Sequence, residues 1–234
     1  MKAVREIIRT YYKEFANYNT PGEYTINIPS GRYELHLVGA GGGAAGNGWE
    51  AAGCLGGGGS GAYYNGLFSL TSTQNISITI GTGGTSNVAY TPNSPRTAGS
   101  GTASTFGTII TCGGGTGGFA QSTANTRGGT GGTVTINDTL GIITKNIIVS
   151  DGQDNVYARG PYAGWSDCSG GLSVYDNTHY GYGAGGWSNN QNAIVGLAGF
   201  CKVVRISDET DYDYYRDRLI YTTRMDDEGR YYSY

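Results

Sequence analysis

The sequence predicts an all-β protein: a β-sandwich of the jelly-roll type that carries packed polyglycine II helices and one short N-terminal helix. Two observations predict this fold. Short segments rich in β-branched residues alternate between apolar and polar positions and are separated by Gly, Asn and Ser. Glycine makes up 43 of the 234 residues, against a usual share of roughly 7%, and much of it falls in runs between those segments.

The N-terminal helix is predicted over residues 3–17, within a segment 1–20 that we expect to serve assembly. Its apolar residues follow the 3.6-residue helical period and would form one stripe. A helix this short is marginal in water by itself, so it must pack on its own domain, on another copy or on a different protein. The stripe consists of Val4, Ile7, Ile8, Tyr11, Tyr12 and Phe15.

A glycine-rich β domain is predicted over residues 21–207, and its first strand follows Pro21 directly. In EYTINIP, Tyr24, Ile26 and Ile28 share one face, while the polar residues between them share the other. A turn follows, and RYELHLV repeats the alternation. Further strands are predicted at residues 67–70, 75–81, 102–112, 132–137, 145–150 and 200–207.

Runs of glycine separate these strands and allow two interpretations. They are either flexible loops or extended threefold helices packed side by side. Glycine loses more entropy on folding than any other residue, so using this many as linkers would be costly. A glycine chain in the polyproline II conformation keeps its N–H donor, and the missing Cβ lets backbones approach closely. The runs are residues 39–48, 53–61, 81–84, 113–118, 128–132 and 181–186.

The charge distribution excludes several classes of partner. Between Ala51 and Asn137 the only charged side chains are Arg96 and Arg127, and the chain carries a net charge of −3. Such a neutral centre offers no basic track for phosphates, so nucleic acid is not expected as a partner. No segment reaches 18 uninterrupted apolar residues, so membrane insertion is not expected, and the charged N-terminus does not read as a secretory signal.

The four cysteines, Cys54, Cys112, Cys168 and Cys201, lie far apart and form no CxxC motif. Their even number permits disulfides. Without an export signal, buried free thiols are the better expectation.

Several glycine motifs resemble functional signatures but lack a defining part. Residues 39–44 fit the dinucleotide fingerprint, yet more glycine follows instead of a helix. Residues 58–62 resemble a nucleophile elbow but fail at the last position. Residues 128–134 resemble a calcium-binding repeat, with Thr133 where Asp is required. Residues 151–155 could hold a cation, although a solvated turn is favoured. We therefore predict no cofactor and no metal.

Catalytic side chains are also few. The chain has two histidines: His36, expected to be an exposed strand residue, and His179 in a loop. No spacing of carboxylates singles out a pair for glycoside hydrolysis. The sequence therefore predicts that the protein is not an enzyme.

A dense set of aromatic residues between positions 157 and 187 is the candidate recognition surface. These residues lie among Gly, Ser, Asn and Asp, a mixture favoured in antibody paratopes, and aromatic faces also suit sugar rings. The alternative is that the rings cap the sandwich or cover the glycine helices. The candidates are Tyr157, Tyr162, Trp165, Tyr175, Tyr180, Tyr182 and Trp187.

The order of segments resembles the glycine-rich domain of bacteriophage tail-fibre and adhesin-type virion proteins. The resemblance is carried over residues 22–206 by YTINIPSGRYELHLVGAGGG, GGGGSGAYYNGLFSL, NISITIGTGG, GTASTFGTIITCGGGTGG and GGWSNNQNAIVGLAGFCKVVRI. The Tyr/Asp-rich tail over residues 208–234 has no counterpart in that pattern, and the 151–180 region is poorer in glycine than the pattern requires.

The resemblance implies a structural virion protein of fibre or fibre-tip type that contributes to host attachment. The expected partners are further copies in a homotrimer, other virion proteins, and a host surface glycan or outer-membrane receptor. The alternative is a head-fibre or connector protein that binds only other virion proteins.

Overall fold

The computed structural model describes the following residues of the chain: 3–47, 54–89, 95–122, 125–154, 158–159, 171–177, 181–186, 188–189, 192–215, 224–225 and 231–232. These residues form 21 strands and no helix. Within these ranges there is accordingly no helix that could cross a bilayer.

The strands alternate between long and very short elements along the chain. In order they are β1 Ala3–Tyr18, β2 Gly22–Ile28, β3 Gly31–Val38, β4 Ala45–Asn47, β5 Cys54–Gly56, β6 Tyr63–Leu70, β7 Gln74–Ile80, β8 Asn87–Ala89, β9 Arg96–Thr97, β10 Ser104–Phe106, β11 Ile110–Cys112, β12 Phe119–Ser122, β13 Asn125–Arg127, β14 Val134–Ile136, β15 Ile143–Ser150, β16 Ala158–Arg159, β17 Ser188–Asn189, β18 Asn192–Ala193, β19 Phe200–Tyr215, β20 Arg224–Met225 and β21 Tyr231–Tyr232.

Two five-stranded sheets form the sandwich. One has the strand order β1-β19-β3-β6-β15, and the other has the order β14-β11-β10-β7-β2. The pairings of β3 with β6 and of β2 with β7 are antiparallel and run without a register shift. The predicted sandwich is thus confirmed, because each segment with period-two alternation became a sandwich strand.

The core of the sandwich consists of the inward faces of both sheets. Tyr33, Leu37 and Ile78 are completely buried, and the Tyr33 ring stacks on Phe68 with centroids 5.2 Å apart. Phe68 in turn contacts Phe106 of the opposite sheet at 5.3 Å. Alternating residues of each strand therefore supply a continuous apolar layer, as expected for packed antiparallel sheets.

The predicted N-terminal helix is wrong, because residues 3–18 form strand β1. The residues of the predicted stripe are β-branched or aromatic and favour a strand when a partner strand is available. That partner is β19, which follows β1 in the sheet order. Farther along β1, Phe15 packs edge-on against Tyr33 at 5.6 Å, and Glu14 pairs with Lys202 at 3.1 Å. Pairing with β19 therefore outweighs the helix that the spacing of the apolar residues predicted.

The chain divides into two compact units. Residues 12–206, called the body here, contain the core of the sandwich. Residues 1–11 together with 207–234, called the terminal unit, contain the start of β1, the end of β19 and the β20–β21 pair. Inside the terminal unit the Thr10 hydroxyl donates to the Asp208 carboxylate at 2.9 Å.

Within the body, the short strands form three small sheets. Their orders are β16-β5-β4-β8, β13-β12-β9 and β17-β18. The glycine runs connect the sandwich to these sheets: residues 39–44 lead from β3 to β4, and residues 57–62 lead from β5 to β6. The chain therefore passes repeatedly between the sandwich and the small sheets through glycine-rich segments.

The run 39–44 has the hydrogen-bond period of a polyproline II helix. The N–H groups of Gly39, Ala40 and Gly41 donate to three different segments, at the carbonyls of Ala62 (2.9 Å), Thr102 (3.1 Å) and Leu197 (2.9 Å). Three residues later the same segments are reached again, at Gly59, Gly99 and Ile194. A partner that returns every third residue requires three residues per turn. The predicted packed polyglycine helices are thus confirmed.

Candidate functional site

The segment 39–44 is the first centre of a polyglycine bundle. Besides its three acceptor segments, it receives hydrogen bonds from three others, for example from Gly84 to Gly41 (2.8 Å), from Gly115 to Ala40 (2.9 Å) and from Gly186 to Gly42 (2.7 Å). Among the described residues, six segments therefore surround it. Neighbours in this ring also bond one another, as Gly99 does to Thr85 at 2.8 Å.

The segment 57–62 is a second centre of the same bundle. Gly58, Gly59 and Ser60 donate to Gly186 (2.9 Å), Thr116 (3.0 Å) and Gln153 (3.0 Å). Hydrogen bonds also arrive from residues 39–44, 128–133 and 171, so six described segments surround this one too. Ser60 is fully buried, and its hydroxyl accepts a further bond from the Gln153 N–H at 2.7 Å.

The central glycines have no room for a side chain. A Cβ on Gly41 would overlap the Ala184 carbonyl, and a Cβ on Gly58 would overlap the Gly42 carbonyl. Gly114 and Gly185 meet carbonyl groups of neighbouring segments in the same way. Among the described residues, none of these four glycines has a positive φ. The missing Cβ, rather than a left-handed backbone, is therefore what these positions require.

Backbone hydrogen bonds in the interior of the bundle join ten described segments to one another. The segments are residues 39–44, 57–62, 81–86, 98–103, 113–118, 128–133, 151–154, 171–173, 181–186 and 194–199. Such a bundle can hold the small sheets in fixed positions, which is how rigid scaffolds present binding groups. We therefore take the bundle and the small sheets as the candidate functional site.

Two of the predicted recognition residues, Tyr175 and Tyr182, lie among the described residues, and both are half-buried. The Tyr175 ring meets Tyr63 and Phe200, each at 5.3 Å, while Tyr182 stacks on Phe200 at 4.6 Å. For these two rings the geometry fits packing on the outer side of a sandwich sheet. The other five candidates, Tyr157, Tyr162, Trp165, Tyr180 and Trp187, lie outside the described residues, and their recognition role stays a prediction.

His36 belongs to a polar cluster that sequence reasoning did not find. Its Nδ1 lies 2.9 Å from the Tyr63 hydroxyl, and its Nε2 lies 3.3 Å from the Glu34 carboxylate. The buried Asn65 amide donates to that carboxylate at 2.8 Å. The expectation of an exposed His36 is therefore wrong, because Tyr175 packs edge-on against its ring. Only the pairing of β3 with β6 brings these residues together, and one strand's pattern does not reveal it.

His36 should make the stability of the protein depend on pH. Burial lowers the pKa of His36 below its usual 6.5, outweighing the opposite effect of Glu34, and Lys202 lowers it further. The folded state then binds fewer protons than the unfolded state, so the free energy of unfolding decreases as the pH falls below about 6.5. Thermal melting between pH 8 and pH 5 should show this decline, and His36→Gln should flatten it.

The same titration on His179→Gln measures how much of the slope belongs to the other histidine. An unchanged slope in His36→Gln would contradict the assignment to His36.

The carboxylates of Asp151 and Asp154 cap the glycine run beside them. Asp151 accepts from the Val134 N–H at 2.9 Å, and Asp154 accepts from the Gly131 N–H at 2.7 Å. Both residues are exposed, as expected for the favoured solvated turn. Elsewhere in the described ranges, no three His, Cys, Asp or Glu side chains group together as metal ligands.

The thiols of Cys112 and Cys201 are free and buried in the sandwich core. Burial raises the pKa of Cys201 to about 12, so its thiol stays protonated and unreactive at neutral pH. Cys112 Sγ donates to the Leu37 carbonyl at 3.3 Å. These two cysteines are packing residues, as expected from the sequence.

A family model of the glycine-rich domain matches residues 19–205. The chain belongs to the glycine-rich domain family. The match covers most of the chain, including the bundle segments and most strands of the sandwich, and it ends within β19. No curated protein matches the chain significantly. Residues 1–18 and 206–234 lie outside the match.

Proposed function

We propose that this glycine-rich domain protein is a structural component of a bacteriophage particle, of fibre or fibre-tip type, that contributes to host attachment. The observation that supports this proposal most is the polyglycine bundle with its two fully surrounded central segments. The resemblance of residues 22–206 to tail-fibre and adhesin domains supports the virion as its location.

A bundle of this kind suits presentation of a binding surface. Its hydrogen bonds join main chain to main chain, so side chains beyond it are free to serve recognition. Binding groups fixed on a rigid scaffold lose little conformational entropy when they engage a partner. The expected partner is a host surface glycan or an outer-membrane receptor.

A connector role is the second candidate, and the terminal unit favours it. Residues 1–11 and 207–234 lie outside the glycine-rich family match. In the described part, this unit consists of strand segments from β1 and β19 and the short β20–β21 pair. Two-stranded assemblies are marginal in water without further packing, so this unit suits docking onto other virion proteins or onto further copies.

Host-cell binding by aromatic variants tests the attachment proposal. Trp165→Ala and Trp187→Ala should reduce binding to host cells without changing the melting temperature. Tyr182→Ala is the matched control: its ring packs on Phe200, so we expect a loss of about 1–3 kcal/mol of stability instead. Absence of cell binding by the intact protein would favour the connector role. Early melting of both Trp variants would show that those rings pack in the domain and that recognition lies elsewhere.

A further inference from the structure

The small sheet β13-β12-β9 carries a face whose chemistry suits an anionic ligand. Phe119 of β12 pairs with Thr97 of β9 on one side and with Arg127 of β13 on the other. Directly opposed residues of antiparallel strands share a face of their sheet. These three side chains, called the arginine face here, therefore lie in one row across the sheet.

The arginine face points away from the interior of the small sheets. Ala120, the next residue of β12, belongs to the opposite face and is completely buried with Ala45 and Ala98. In contrast, Thr97 and Arg127 are exposed, and Phe119 is half-buried. The row is therefore available to a ligand.

Arg127 is already oriented for recognition. Its guanidinium carbon lies 5.1 Å from the centroid of the Phe119 ring. Stacking on an aromatic ring restrains the planar guanidinium while its N–H edge can still donate two parallel hydrogen bonds. Within the described ranges, no carboxylate pairs with Arg127. A restrained guanidinium with an available edge matches the planar geometry of a carboxylate.

The charge of the small sheets favours an anionic ligand as well. Their described strands carry Arg96, Arg127 and Arg159 and no acidic residue, in a chain whose net charge is −3. The segments between these strands also carry acidic residues, among them the exposed Asp151, Asp154 and Asp176. The positive charge is thus concentrated on strands that the bundle holds in place.

We propose that the arginine face binds a carboxylate-bearing sugar of a surface polysaccharide. This inference rests on the proposed attachment function and names its ligand class. One guanidinium balances the single charge of a carboxylate, whereas a phosphate monoester carries nearly two charges at neutral pH. The Thr97 hydroxyl, in the same row, can bond a hydroxyl of the sugar ring.

Binding of the full-length protein to a galacturonic acid tetramer, measured by calorimetry, tests the proposal. The methyl ester of the tetramer keeps the sugar rings but removes the charge, and it should bind at least about tenfold more weakly. Arg127→Gln should weaken tetramer binding by about tenfold or more, as expected for loss of a charge-assisted bond pair. Arg127→Lys should fall between Arg127→Gln and the wild type, because lysine keeps the charge but loses the fork.

Lys145→Gln removes one exposed positive charge from β15 of the sandwich and should bind the tetramer as the wild type does. The proposal is overturned if the wild type does not bind the tetramer, if Arg127→Gln binds it equally well, or if a phosphorylated oligosaccharide binds more tightly. Cell binding distinguishes failure of the sugar site from failure of the attachment function. If wild type and Arg127→Gln bind cells equally well, the attachment function stands but this site does not serve it. If tetramer binding depends on Arg127 but the protein binds no cells, the site stands and the attachment function does not.

Discussion

Gly58→Val should destabilise the protein by at least about 3 kcal/mol, well beyond the roughly 1 kcal/mol that backbone preference alone explains. Gly58 lies in a central segment of the bundle, and a side chain there would collide with the Gly42 carbonyl. The Gly42 carbonyl belongs to another segment of the bundle, and the hydrogen bonds of that segment hold it in place. Moving it aside would break some of those hydrogen bonds. Gly41→Val, Gly114→Val and Gly185→Val should behave alike.

Two adjacent residues provide the matched control. A Cβ on Gly114 would overlap the Gly101 carbonyl, whereas a Cβ on Gly113 lies 3.0 Å from the nearest atoms, which belong to Thr133. Gly114→Ala should therefore cost clearly more than Gly113→Ala in thermal or urea unfolding. Equal melting of both variants and of the wild type would show that the runs are flexible loops.

Removal of residues 1–11 and 207–234 should abolish self-association while leaving the body folded. The fragment 12–206 keeps the core of the sandwich and the bundle, because those residues form one compact unit. The removed parts contain paired strand segments, and an isolated pair of strands is only marginally stable in water, so these segments need further packing. Light scattering should show an oligomer, most simply a trimer, for the full chain and a monomer for the fragment.

The melting temperature of the fragment serves as the control. It should stay close to that of the full chain, since the core residues are retained. A full chain that is monomeric at micromolar concentration, or a fragment that still forms the same oligomer, would contradict an assembly role for the terminal unit.

The sandwich was predictable because its local signals agree with its packing. Strands such as β2 and β3 alternate cleanly, since one face of each lies in the core and the other does not. The bundle was predictable in kind, because glycine in such numbers is explained by close approach of main chains. The N-terminal strand was not predictable, because the spacing of its apolar residues fits a helix and the strand forms only by pairing with the distant β19.

The membership of the bundle could be predicted only in part. The central segments 39–44 and 57–62 are mostly glycine, because neighbours surround them on all sides. Outer segments such as 151–154 and 194–199 contain larger residues, including the half-exposed Leu197, because a peripheral position leaves space for side chains. Glycine content therefore identifies runs such as 39–44, 57–62 and 113–118 as bundle segments, and it overlooks segments such as 194–199.

The only sequence feature that pointed to the arginine face was the presence of a charged residue in an otherwise neutral stretch. Arg127 and Thr97 are 30 positions apart, and only the register of β9, β12 and β13 places both beside Phe119. Arg96 and Arg127 stood out as the two charges in a neutral stretch, but which of them faces outward depends on strand pairing. Such a site cannot be derived from one strand at a time.

The threefold period of the bundle restricts how its segments can change in length. Each N–H in the run 39–44 is directed to one of three neighbours in turn. An insertion of one residue rotates all later donors by about 120° and directs each of them to the wrong neighbour. An insertion of three residues restores the original directions after one extra turn. We therefore expect the central segments to accept insertions and deletions of three residues more readily than those of one or two, and we expect no such period in segments outside the bundle.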